Sequence, residues 1–167
     1  MTLHSLARDE VVFGFGIDAE ANVHLQRAAS LVTSRPDSLQ ALLDAQQASP
    51  QQLEVLTALY KFYFYQGDID NAEATVLRSL QTAATQAGFV NDWQALSPDA
   101  ADWSDPRGAA RAYLYALKAL AFIRLRQLRA DEAQQILLSL QRLDPDDQVG
   151  ADVIRDLLEG LQDDSDE

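Results

Sequence analysis

Residues 53–77, LEVLTALYKFYFYQGDIDNAEATVL, decide the fold. Two runs rich in apolar residues meet at Gly67-Asp68. Ser49-Pro50 stops an earlier helix and starts the first run, a helix over about Gln51–Gln66. Gly67 breaks it, because a glycine accepts the left-handed backbone that ends a helix without a Cβ penalty. Asp68 then caps a second helix that runs to about Gln86. The unit is a helical hairpin.

Working outward, a helix is expected over Ala19–Ser34, ending before Pro36, which cannot sit inside one. Pro36 with Asp37 and Ser38 opens another to about Ala48. Residues 88–108, GFVNDWQALSPDAADWSDPRG, break the pattern with two glycines, two prolines and both tryptophans. They read as a long connection with room for one helical turn. Further helices are expected at about Ala109–Leu128, from Ala130-Asp131 to Leu143, and at about Gln148–Leu161. Residues 1–18 read as an irregular strap and 163–167 as a frayed acidic tail. Strand signals are nearly absent, so the class is all-α.

The chain has 167 residues, enough for one domain with a real core. Its 26 acids against 13 bases give a net charge of −13. Such a surface argues against a general nucleic-acid binder or a partner for anionic membranes. With no cysteine, disulfides, thiolate metal sites and cysteine nucleophiles are excluded. The start lacks a basic segment followed by an apolar run, and no run approaches the ~18 apolar residues of a membrane span. A cytoplasmic protein is the expectation.

Against this acidity, residues 107–129 hold six bases and no acid, so the rest of the chain carries −19. At about 100° per residue, Arg107, Arg111, Lys118, Arg126 and Arg129 share one helix face, with Tyr115 and Phe122 among them. Leu114, Leu117, Ala121, Leu125 and Leu128 form an adjoining stripe for a core.

Paired helices of this size prompt a search for a repeat. Residues 53–77 resemble a tetratricopeptide repeat, whose 34-residue unit is matched at Leu56, Leu59-Tyr60, Tyr63, Gly67, Ala72 and Val76. Tyr60 departs, since a small residue is usual there. A second unit fits at Leu117, Leu120-Ala121, Ala133, Leu137 and Pro145. It departs at Arg124, where an aromatic is usual, and at Leu128, where the turn glycine is usual. A degraded third unit is laid on Leu25, Ser38, Leu42, Ala45 and Pro50. Ala72 and Ala133 lie 61 residues apart, one repeat plus 27. The units are therefore 19–52, 53–86 and 114–147, with an insertion at about 86–112 and a capping helix at 148–161 whose outer face is acidic. The resemblance implies an α–α superhelix of about three hairpins, since each leaves an apolar face that only a neighbour can cover. An unrelated helical bundle is the alternative.

In that family the first helix of each pair lines a concave surface that holds extended peptides. Carried over, the resemblance implies a groove presenting Glu54, Thr57, Lys61, Phe64 and Tyr65, then Tyr115, Lys118, Phe122, Leu125 and Arg126. Combined with the basic face, the candidate residues are Lys61, Phe64, Tyr65, Arg111, Tyr115, Lys118, Phe122, Arg126 and Arg129. Such a groove suits an acidic segment or a C-terminal carboxylate of another protein. The alternatives are that these bases pair with acids on adjoining helices, or that residues 163–167 fold back onto them. Trp93 and Trp103 either pack the insertion onto the helices or expose a binding anchor.

Other signals point nowhere specific. Gly14-Phe15-Gly16 lacks the third glycine of a dinucleotide fingerprint. His4 and His24 lack metal-ligand spacing, and Asp68 and Asp70 suit a turn and a cap rather than a calcium loop. No nucleophile–base pair or carboxylate dyad assembles, so catalytic residues, cofactors and metals are all expected to be none. The expected function is a non-enzymatic adaptor or chaperone-like protein. Small acidic chains of three such repeats also resemble translocator-type chaperones of type III secretion, though the insertion departs from them. The strings LTALYKFYFYQ, DWQAL, YALKALAFIRLR and LDPDDQVGA are similar to small uncharacterised repeat proteins encoded beside nitrogen-fixation genes, which implies an accessory role for nitrogenase or its assembly. An enzyme with an unrecognised helical active site is the reading from another class. Monomer and homodimer both stay open.

Overall fold

The computed structural model describes residues 35–166, and within them the regular structure is helical. The strap at 1–18, the helix expected at 19–34, the two histidines and Gly14-Phe15-Gly16 lie outside the described residues. The helices are α1 (Arg35–Ala48), α2 (Leu53–Tyr65), α3 (Ile69–Ala87), α4 (Ala109–Arg126), α5 (Ala130–Leu143) and α6 (Asp152–Ser165). A 3-10 turn, Pro98–Ala100, lies in the long connection. No helix among the described residues is long and apolar enough to cross a membrane.

Each helix packs on the next in chain order, and α2 also touches α4, which touches α6. That succession is an all-α superhelix: α2, α4 and α6 follow one another on one side, with α3 and α5 behind them. Helix α2 buries both flanks. Val55, Ala58, Leu59 and Phe62 close on Ala41, Leu42 and Ala45 of α1. Leu53, Leu56 and Tyr60 enter the main core with Val76 and Leu80 of α3 and Leu114, Leu117 and Leu120 of α4. Of the apolar stripe expected on α4, Leu114, Leu117, Ala121 and Leu125 are buried, whereas Leu128 is 91% exposed. The helix stops at Arg126, and Leu128 swings out in the turn.

The turns of the two complete hairpins share one design. In the first, Gln66 N–H donates to Phe62 O, Gly67 N–H to Phe64 O and Asp68 N–H to Tyr63 O. Sixty-one residues on, Gln127 N–H donates to Ile123 O, Leu128 N–H to Leu125 O and Arg129 N–H to Arg124 O. Gly67 and Leu128 both have positive φ, 77° and 60°. Leu128 thus adopts the left-handed conformation that its Cβ disfavours by about 1–2 kcal/mol.

The connection 88–108 is packed rather than loose. Trp103 is buried, its ring centroid 5.2 Å from Phe89 and 6.3 Å from Tyr113. Its indole N–H donates to Ser97 O at 3.3 Å. Arg142 of α5 reaches over and donates to Trp93 O and Leu96 O. Tyr113 Oη donates to Asn91 Oδ1 at 2.8 Å.

After α5, the segment 144–150 is built by two carboxylates. Buried Asp144 accepts from the backbone N–H of Gln148 and Val149, and Asp147 from those of Ala151 and Asp152 at the start of α6. Helix α6 continues through Asp163 and Asp164 to Ser165, where a frayed tail was expected.

Candidate functional site

Between α2, α4 and α6 lies an open cleft of about 330 Å³. Helix α2 contributes Tyr60, Lys61, Phe64 and Tyr65; α4 contributes Tyr115, Lys118, Ala119, Phe122 and Ile123; α6 contributes Val153 and Ile154. Spacings of three and four along α2 and α4 put these side chains on one face of each. The size is at the lower end of ligand pockets, enough for one or two side chains and not for a folded surface. Phe64 and Phe122 meet at 5.0 Å between centroids, and Tyr65 stands edge-on to Phe64 at 5.6 Å.

Six of the nine groove residues expected from sequence therefore line one cleft: Lys61, Phe64, Tyr65, Tyr115, Lys118 and Phe122. Arg126 lies beside it, its guanidinium carbon 5.9 Å from the centre of the Phe64 ring, a cation–π distance. It belongs to a second groove, between α4 and α6, with Phe122, Leu125, Asp156, Leu157, Gly160, Leu161 and Asp164. Phe122 is common to both.

Two of those nine residues, and two others the resemblance placed in the groove, lie elsewhere. Arg111 shares a helical face with Lys118, but segment 144–150 covers the beginning of α4. Its guanidinium is buried, donating to Gln148 Oε1 and Ser104 O. Arg129 follows the end of α4 and pairs with Glu132 at 2.7 Å. Glu54 and Thr57 are buried and do not line the cleft. Trp103 is core of the connection, so it is no exposed anchor; Trp93 is half-buried against the same core.

The basic stretch is thus divided. Arg124 is consumed internally, its guanidinium 2.9 Å from Glu73 and 3.1 Å from Glu132, tying α4 to α3 and α5. Burial pushes the Glu73 carboxyl up, but hydrogen bonds from Gln127 and Arg124 and the charges of Arg124 and Arg129 together outweigh it. Its pKa sits below the ordinary value. Lys118 does two jobs: it lines the cleft, and its ammonium donates to Val149 O at 2.9 Å. Burial pulls its pKa below the ordinary value, with Asp147 partly opposing. One of its three N–H donors is spent on Val149. Burial also pushes the Tyr60 phenol up.

Sequence reasoning missed Tyr60, Ala119 and Ile123 as lining residues, and the α6 contribution altogether. Val153, Leu157 and Leu161 repeat at four-residue intervals and are 65%, 46% and 52% exposed. Helical phase applied to 152–161 would have found this stripe; the outer side of α6 is therefore mixed rather than purely acidic.

Chemically, the cleft offers aromatic walls, a partly desolvated ammonium and a second lysine. That combination holds an apolar side chain beside an anionic group. No family model and no solved structure matches the chain. Over 121 residues it is 31% identical to an uncharacterized 19.8 kDa protein in the nifW 5′ region of Azotobacter chroococcum mcd 1, covering 71% of this chain and 68% of that protein. The chain belongs to the same family as that nifW-region protein.

Proposed function

We propose that this chain is a non-enzymatic adaptor or chaperone-like accessory protein of tetratricopeptide type. It holds a segment of another protein in the α2–α4–α6 cleft through an acidic stretch or a C-terminal carboxylate. The observation that carries the reading is the convergence of Lys61 and Lys118 on an aromatic cleft formed by successive helices. The repeat assignment draws support from the two hairpin turns, whose backbone hydrogen bonds recur at a separation of 61 residues.

The relative's place in the nifW 5′ region supports an accessory role toward nitrogenase or its assembly, and favours it over the secretion-chaperone reading. A client segment would seat an apolar side chain against the paired rings of Phe64 and Phe122 and direct its carboxylate toward the lysines. Each charge-assisted hydrogen bond of this kind contributes about 1.5–3 kcal/mol.

The test is affinity capture from nitrogen-fixing cells with the wild-type chain and with Lys61→Glu and Phe122→Ala. Capture of a nitrogenase component or assembly protein by the wild type, lost in both variants, is the expected result. Capture unaltered by either substitution removes the cleft from the function.

A further inference from the structure

We propose that the groove between α4 and α6 is a second docking site, adjoining the aromatic cleft at Phe122, and that it takes a basic amphipathic helix of a partner protein. Three features of α6 point to it.

The first is the stripe Val153, Leu157 and Leu161, apolar side chains left about half exposed or more; Leu157 and Leu161 line the groove, and Val153 continues the stripe along α6 to the edge of the aromatic cleft. Their four-residue spacing covers roughly 12 Å, two turns of an α-helix lying alongside. Apolar stripes at this spacing are what helix-in-groove recognition uses. The second is Gly160. It sits within α6 and lines the groove, and a Cβ built on it would meet nothing within 4 Å. Its φ is not positive, so no turn calls for glycine there. A glycine inside a helix weakens it, and no contact among the described residues explains the choice. The missing side chain leaves the groove floor open to a neighbour.

The third is charge. Asp156 and Asp164 line the groove, while Arg126, the one base lining it among the described residues, is turned onto the Phe64 ring. Glu159 and Asp163 are exposed on the same helix. A second copy of this chain would bring the same acids to a two-fold contact, where like charges face each other. A partner helix with lysines or arginines flanking an apolar stripe meets the acids with opposite charge. The cleft described above favours ligands of the opposite sign, so peptides of opposite charge tell the two sites apart although Phe122 lines both.

The test uses the full chain and two fluorescein-labelled amphipathic peptides with the same leucine face, one with lysines on the polar face and one with glutamates. Fluorescence anisotropy should show saturable 1:1 binding of the lysine peptide and none of the glutamate peptide. Gly160→Leu, a neutral change that fills the groove floor, should weaken binding at least tenfold without lowering the melting temperature. Leu161→Asp, at an exposed position, should do the same. The double change Asp156→Lys with Asp164→Lys should transfer the preference to the glutamate peptide. A loss of less than tenfold in both Gly160→Leu and Leu161→Asp would mean only long-range attraction to an acidic surface, and overturns the proposal. So does sedimentation showing a wild-type dimer that Gly160→Leu dissolves, since the occupant is then a second copy.

Discussion

Replacing Leu128 by glycine should stabilise the protein, although it deletes a large apolar side chain. Leu128 has φ 60° and is 91% exposed, so its side chain contributes almost no burial while its backbone is held in the left-handed region. Releasing that strain is worth about 1–2 kcal/mol. The added freedom of glycine in the unfolded chain takes back about 0.4–1 kcal/mol. The net is about 0.5–1 kcal/mol of added stability, a rise in melting temperature of about 1–4 °C for a domain of this size. Urea unfolding should show a higher midpoint with an unchanged slope, because the surface exposed on unfolding does not alter. The reciprocal change, Gly67→Leu, should cost about 0.5–1 kcal/mol, because the two positions share φ sign and hydrogen-bond pattern and the same two terms apply with opposite sign. If Leu128→Gly lowers the midpoint, the turn is not the left-handed equivalent of Gly67, and the two hairpins do not share one design.

Other substitutions probe how the fold holds the site. Arg124→Ala should cost about 2–3 kcal/mol in urea unfolding, because it leaves Glu73 with only the Gln127 hydrogen bond in place of its ion pair and removes a buried stem; the pair with half-exposed Glu132 adds little. The Glu73 carboxyl is held below its ordinary pKa of 4.5, so its contribution is present above that value and lost as pH falls through the lower folded value. The stability gap between wild type and Glu73→Gln should therefore close on acidification below about pH 4.5; a gap constant to pH 3 contradicts the assignment. Trp103→Ala should cost about 3–5 kcal/mol by thermal or urea unfolding, as a buried ring packed on Phe89 and Tyr113. Ligand affinity at the cleft should survive that change in the folded fraction.

The hairpins were legible because their signals are local. Gly67-Asp68 marks a turn whatever surrounds it, and the periods of 53–77 and 109–143 carry their own buried faces. Helical phase and the repeat resemblance together also bring six cleft residues onto one surface. Arg111 was misplaced because phase says which face a residue shares and not what later covers that face. The covering segment is set by Asp144 and Asp147, more than 30 residues on, through hydrogen bonds that no periodicity encodes. Leu128 read as part of a core stripe because its apolar character was counted and its position in the turn was not. The stripe on α6 was in plain view, but the density of acids around it drew attention to charge instead of phase.

The pairing of lysines with an aromatic cleft is tested most directly by calorimetric titration of the full chain. The ligand is a short acidic peptide ending in phenylalanine, with its C-terminus either free or amidated. The expected result is binding at the cleft that weakens about tenfold on amidation, and weakens similarly in Lys61→Met and in Phe64→Ala, because each removes about one charge-assisted contact or one aromatic wall. Equal affinity for the free and amidated peptides, unchanged in both variants, would contradict a cleft built to hold an apolar side chain beside a carboxylate.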